Sequence, residues 1–206
     1  MDEELLKIFD QNRNEIGVAS RAEVHQKGLW HESFHCWFVH HDKDAVYLYL
    51  QLRSPRKKEH GNLFDITAAG HLLAHETVRD GVREIGEELG IDVSFEELVS
   101  LGQFDYCVSE EQLIDNEMAH LFLYRCEQEL DGFSLQEEEV SGMIKVEFPH
   151  FRDLWRGKRE TVRVFGYEIK PDGEKCVIDQ EVGRDRFVPH QLSYYEAIIQ
   201  KIAEKL

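Results

Sequence analysis

An α+β fold is what this sequence predicts, and three observations predict it. Short runs rich in aromatic and β-branched residues recur between Leu5 and Phe148 and read as strands. One strongly periodic helix interrupts them, from Thr77 to Leu89. Beyond Pro149 the pattern changes to a β-pair and an amphipathic terminal helix. At 206 residues the chain is long enough for one well-packed domain, and a second would be cramped. Residues 1–148 are therefore read as the main domain and residues 149–206 as an extension packed on it.

Leu5–Phe9 and Ile16–Ala19 are the first strands, around the polar turn Asp10–Glu15. Ser20 caps a short helix through His25, with Glu23 at the capping-box position. Phe34–His40 and Ala45–Leu52 form a hairpin across the polar His41–Asp44, and Leu63–Thr67 follows a basic loop as another strand. In the helix, at roughly 100° per residue, Val78, Val82, Ile85 and Leu89 share a narrow stripe, and Gly90 sits where a helix commonly ends. A short turn at Phe95–Leu98 precedes strands at Val99–Val108, Ala119–Tyr124 and Met143–Phe148. In the tail, Phe151–Trp155 is a short helix. Val162–Ile169 and Glu174–Ile178 pair around Pro171-Asp172-Gly173, and Leu192–Leu206 is the terminal helix. Trp155, Phe165, Tyr194 and Tyr195 need burial, which draws the tail onto the rest.

The formal net charge of −17 argues against a nucleic-acid polymer as partner, because such binding depends on lysine and arginine neutralising phosphates. No apolar run approaches the roughly 20 residues of a membrane span. The acidic start MDEELLKIFDQN is unlike a secretory signal, so a cytoplasmic protein with no membrane partner is expected. Cys36, Cys107, Cys126 and Cys176 are scattered, which fits buried thiols in a reducing compartment. A phosphate-bearing ligand needs a local exception to the acidic surface. Arg53, Arg56, Lys57 and Lys58 provide one, with a solvated loop as the plain alternative.

Glu84, Glu87 and Glu88 stand at i, i+3 and i+4 of the helix and project from one face, roughly 130° from the apolar stripe. Like charges so placed destabilise a helix. A hard dication such as Mg²⁺ removes the conflict, since it takes oxygen ligands; a solvated acidic face is the other reading. Gly70 opens a loop, GHLLAHE, that leads into the helix, and Arg83 is placed to pair with Glu76 and lock loop to helix.

Gly70 to Ile91, GHLLAHETVRDGVREIGEELGI, resembles the Nudix box, whose core is a glycine, a spaced glutamate, and R-E-apolar-x-E-E-x-G-apolar. Arg83 to Ile91 matches that last part in full. The resemblance implies an α/β/α sandwich with a mixed central sheet, Mg²⁺ or Mn²⁺ on Glu84, Glu87 and Glu88, and a pyrophosphohydrolase activity. Two departures stand out: the stretch between Glu76 and Arg83 is one residue shorter than the family's, and His75 replaces a common glycine.

A wider likeness runs from about Leu5 to Tyr124. Arg21 to His31, RAEVHQKGLWH, is similar to the N-terminal region of isopentenyl-diphosphate isomerases, which share the Nudix fold. The positions matching that family's metal ligands are His25, His31, His71, Asp115 and Glu117. They imply a second divalent ion, of a kind that suits imidazole together with carboxylate. Arg53 and Lys57 match residues that hold the diphosphate, and Tyr106 matches an active-site tyrosine or is simply a half-buried strand aromatic. Ala69 stands where the isomerases carry their catalytic cysteine, and a methyl group can neither donate nor accept a proton.

The expected function is metal-dependent hydrolysis of a nucleoside-diphosphate-type or other organic diphosphate. Glu84, Glu87, Glu88 and Glu117 are the expected catalytic residues, with Glu87 or Glu117 as base. The alternatives are an isomerase-like enzyme, or a silent module that binds a diphosphate ligand without turnover. Nudix pockets recognise the organic group outside the box, where the tail can contribute; its aromatic residues also make a homodimer an expectation.

Overall fold

The computed structural model describes residues 4–43, 45–110 and 113–206. Strand β1 (Leu5–Phe9) pairs antiparallel with β2 (Glu15–Ser20). Helix α1 (Arg21–Lys27) starts on Ser20, whose hydroxyl accepts the Glu23 N–H at 3.3 Å, and ends on Gly28 at φ 62°. The hairpin follows as β3 (Trp30–Asp42) and β4 (Ala45–Arg53). Asp44 of its expected turn lies outside the described residues.

Several elements differ from expectation near the site. The strand expected over Leu63–Thr67 shrinks to β5 (Phe64–Asp65), and the Gly70 loop begins as a strand, β6 (Ala68–His71), antiparallel to β3. The long helix is shorter than its periodicity indicates. Residues Asp80–Val82 form a 3₁₀ turn, and the α-helix proper, α2, spans Arg83–Leu89. Packing explains the tight turn: Gly81 is buried against Phe34, and a Cβ there would lie 2.8 Å from that ring. Asp80 also ties back the chain by accepting from the Thr77 backbone N–H at 2.8 Å.

Strand β7 (Val99–Glu110) pairs with β8 (Leu113–Arg125), which starts well before the expected Ala119 and so carries Asp115 and Glu117 on a strand. Strand β9 (Val140–Glu147) leads into α3 (Phe148–Trp155), then β10 (Val162–Ile169), β11 (Lys175–Val182) and α4 (Leu192–Ala203). Among the described residues, eleven strands belong to one sheet with the path β11-β10-β9-β4-β3-β1-β2; β5 branches from β4, while β6 and the β8–β7 pair branch from β3. The pairing of β3 with β8 is parallel and the others are antiparallel, so the sheet is mixed.

Alternation along β3 divides the core between the two faces of the sheet. Trp37 and Val39 pack with Phe151, Tyr194 and Ile198 of α3 and α4, while Phe34, Cys36 and Phe38 pack with Ile85 and Leu89 of α2. Helices thus cover both faces. In the tail, Trp155 and Tyr195 stack with centroids 3.5 Å apart and are buried, whereas Phe165 is only half-buried beneath Arg163. Cys36 and Cys126 are buried; Cys107 and Cys176 are partly exposed, and all four are free thiols. Among the described residues, no helix is long and apolar enough to cross a membrane.

Candidate functional site

Helix α2, strand β6, the ends of β3 and β8, α1 and the segment before α4 line one cavity of about 630 Å³. Gly70 lets β6 pass close to the helix. A Cβ on it would fall 2.2 Å from the Glu84 carboxylate.

The three helix glutamates sit in three environments. Glu88 is buried, and its Oε2 accepts from the Ala69 N–H at 3.2 Å and from Gln51 Nε2 at 3.4 Å. Burial, reinforced by the charge of Glu84, pushes its carboxyl well above the usual range. Glu84 is pushed up to about 7, chiefly by burial and against the opposing pull of Arg83. Glu87 is 55% exposed. Arg83 stands among them, with Nη1 2.7 Å from Glu84 Oε1 and 3.0 Å from Glu87 Oε2. Its Nε and Nη2 grip both oxygens of Glu76, at 2.5 and 3.1 Å, and Nη2 also donates to the His71 carbonyl. The loop-to-helix clamp expected of Arg83 and Glu76 is therefore present, as the bidentate pairing an arginine makes best. Among the described residues, Glu84, Glu87 and Glu88 do not bring their oxygens together as a compact ligand set.

The histidines do. His25 of α1, His31 at the start of β3, His71 of β6 and Asp115 of β8 place donor atoms within 4.8 Å of one another. His31 Nδ1 lies 3.0 Å from the Leu29 carbonyl, so Nδ1–H donates there and the Nε2 lone pair faces the cluster. That backbone anchor is the usual outer support of a metal-binding histidine. His31 Nε2, His25 Nε2 and Asp115 Oδ1 are all buried without a hydrogen-bond partner. Burial, then the neighbouring histidine, lowers His25 and His31 to about 4, so both rings are neutral at pH 7. Asp115 is pushed up to about 9 by burial and then by the charge of Glu117. Three orphaned, converging N and O donors fit a divalent cation.

Glu117 does not offer a free carboxylate. It accepts from Ser33 Oγ at 2.8 Å and lies 3.2 Å from His35 Nε2 and 3.5 Å from His71 Nε2. Burial works to raise its pKa, yet hydrogen bonds from His35 and His71 hold it well below the carboxylate range. His35 is oriented in turn by the Tyr194 hydroxyl of α4, 2.8 Å from Nδ1.

Arg53 and Lys57 line the same cavity, each engaged by an acid. Arg53 Nη1 donates to Asp65 Oδ2 at 2.8 Å, and Lys57 pairs with Glu139. Tyr106 also lines it, with its hydroxyl 2.7 Å from His190 Nδ1. Arg56, by contrast, meets Glu138 at the surface with more than half its side chain exposed. Sequence reasoning missed Ser33, His35, Asp65, Glu139, His190 and Tyr194. Serines, histidines and acids of this kind are spread along the chain, and no spacing marks these six before the sheet assembles them.

No protein-family model matches the chain. An uncharacterized Nudix hydrolase of Clostridium acetobutylicum is 36% identical over 204 residues, covering 99% of each chain. An isopentenyl-diphosphate Δ-isomerase of Photorhabdus laumondii is 31% identical over 128 residues, 62% of this chain and 70% of that one. A crystal structure from Deinococcus radiodurans superposes with a TM-score of 0.57 over 75% of this chain and 89% of its own; at 19% identity this likeness speaks to the fold alone. Full-length similarity to a Nudix hydrolase, carried by a chain whose Arg83–Glu76 clamp and glutamate helix face one cavity, establishes that the protein belongs to the Nudix hydrolase family.

Proposed function

We propose that the protein is a metal-dependent hydrolase that cleaves the diphosphate linkage of a nucleoside-diphosphate-type or other organic diphosphate. One observation carries this reading: ten carboxylates and four arginine or lysine side chains line a single cavity, an excess of negative charge that bound cations relieve. Glu84, Glu87 and Glu88 would hold Mg²⁺ or Mn²⁺, because an all-carboxylate donor set suits a hard dication. His25, His31, His71 and Asp115, with Glu117 bracing His71, would hold a second divalent ion. Such cations supply charge neutralisation at phosphoryl oxygens and make water a better nucleophile.

Of the two candidate bases, Glu87 is favoured, being exposed and lining the cavity. The contacts of Glu117 to Ser33, His35 and His71 suit an orienting role. Arg53 and Lys57 bind the phosphate that is not attacked, Arg53 while keeping its contact to Asp65 and Lys57 in exchange for Glu139. Glu76 and Arg83 keep α2 in register with its loop. Among the described residues, the apolar and aromatic side chains lining the cavity are Ile66, Ala69, Leu73, Tyr106, Val108 and Val188 against a larger number of charged ones, which favours a polar organic group over a long hydrocarbon one.

The test is product release from a panel of nucleotide, sugar and prenyl diphosphates with Mg²⁺ and then Mn²⁺, beside Glu87→Gln. Turnover that disappears in the variant is expected; turnover that persists unchanged in Glu87→Gln and Glu88→Gln sinks the assignment. The histidine set favours a second reading, an isomerase-like enzyme acting without the usual cysteine. That reading requires exchange of substrate protons with heavy water on isopentenyl diphosphate, visible by NMR. A silent binding module, which the shortened Glu76–Arg83 stretch favours, would show tight diphosphate binding and no product.

A further inference from the structure

His190, in the segment between β11 and α4, reaches the cavity wall far from the glutamate helix in sequence. Its Nε2 lies 2.7 Å from Asp65 Oδ1, and its Nδ1 2.7 Å from the Tyr106 hydroxyl. Asp65 is buried, and both of its oxygens are committed. Oδ1 also accepts the Ile66 N–H at 2.8 Å, and Oδ2 accepts Arg53 Nη1 at 2.8 Å. Burial alone would raise this carboxyl, but His190 and Arg53 hold it well below the usual range. An ionised carboxylate only accepts, so His190 Nε2 is the donor.

Of the five N–H groups of Arg53, two are engaged. Nη1 is on Asp65 and Nη2 donates to the Glu59 carbonyl at 3.2 Å, while Nε is buried with no hydrogen-bond partner. A guanidinium and a carboxylate meet most favourably fork to fork, through two parallel N–H···O bonds. Here that arrangement is blocked, because His190 and the Ile66 amide both occupy Oδ1.

We propose that His190 is a positioning residue: it holds Asp65 to a single contact with Arg53, so that Arg53 keeps a donor for a phosphate group of the substrate. Without His190, Asp65 turns both oxygens onto Arg53, and a further N–H of the guanidinium is drawn away from the ligand. The tail thereby takes part in the diphosphate site through Asp65, without touching the ligand itself. The inference rests on the reading of Arg53 as a phosphate ligand.

Inorganic pyrophosphate, titrated calorimetrically into the full-length protein with Mg²⁺, tests it. His190→Phe removes the donor and is expected to weaken binding on the order of tenfold. His190→Gln keeps an N–H that can reach Asp65 and is expected to stay within about threefold of the wild type. Tyr195→Phe is the structural comparator. It removes a buried hydrogen bond of the same segment, to the Val188 carbonyl at 2.7 Å, and is expected to lower the melting temperature while leaving pyrophosphate affinity intact. Wild-type affinity in a folded His190→Phe protein overturns the proposal, and so does an equal loss in Tyr195→Phe. Arg53→Gln separates the two levels. If that variant binds as well as the wild type, the phosphate role of Arg53 is wrong; if it loses binding while His190→Phe does not, only the role of His190 falls.

Discussion

The glutamate helix and the histidine cluster both contribute to one cavity and answer the same electrostatic problem differently. On the helix side a cation is already built in: Arg83 sits between Glu84 and Glu87 and also clamps Glu76. On the histidine side, among the described residues, no arginine or lysine forms an ion pair with Asp115, and Arg21 is paired with Glu4. His25, His31 and Asp115 instead present buried atoms that face one another at 3.5 to 3.6 Å without a hydrogen-bond partner. Unpaired buried polar atoms are costly and rare, whereas paired exposed acids are common. A strong local motif and a compact set of unpaired donor atoms need not coincide. The motif lies where charge is partly compensated, and the four-donor nest lies next to it.

Loss of the exposed carboxylate should have the largest effect. Glu87→Gln is expected to lower kcat by roughly 10³-fold in a diphosphate hydrolysis assay. It should leave the metal content of the histidine side unchanged, and a comparable loss of that ion would merge the two sites into one. Next comes His31→Ala, expected to weaken divalent-ion binding at the cluster by at least about 100-fold, read by elemental analysis after dialysis. Retention of a full equivalent of ion would show that the cluster is not a ligand set. Arg83→Met strands Glu76, which is only 6% exposed, and should cost about 2 kcal/mol in chemical denaturation. A neutral outcome there would mean that the clamp contributes no stability.

The smallest effect is a slope. Glu84 is raised from 4.5 to about 7, so the folded state holds this proton more tightly than the unfolded one. In chelator-treated protein its contribution is fully present below about 4.5 and is lost as pH rises to about 7. The slope is at most about 1.4 kcal/mol per pH unit for one proton. Glu84→Gln should remove that slope. If wild type and variant share the same pH dependence, Glu84 is not desolvated as the structure has it.

Local reading succeeded where the physics is local. The Ser20 cap, the hairpin around His41, the tail pair Val162–Ile169 with its partner strand, and the Arg83–Glu76 clamp each depend on residues close in sequence. It failed where another element intervenes. Periodicity alone extended α2 back to Thr77, but Gly81 meeting the Phe34 ring converts those residues into a turn and a 3₁₀ segment. Gly70 and His71 read as the start of a loop because a four-residue strand containing glycine has almost no signal of its own; the ladder of Ala68–His71 to β3 makes it a strand.

By itself, then, the sequence determined the α+β class, the helix with glutamates at i, i+3 and i+4, and the arginine that ties it to its loop. All of these follow from backbone periodicity and short-range pairing. Only the tertiary structure decided that Glu88 is buried while Glu87 is exposed, that Glu117 is enclosed by Ser33, His35 and His71, and that His190 meets Asp65 across 125 positions of chain. Burial and long-range hydrogen bonding depend on which surfaces the sheet brings together. No window of neighbouring residues carries that information.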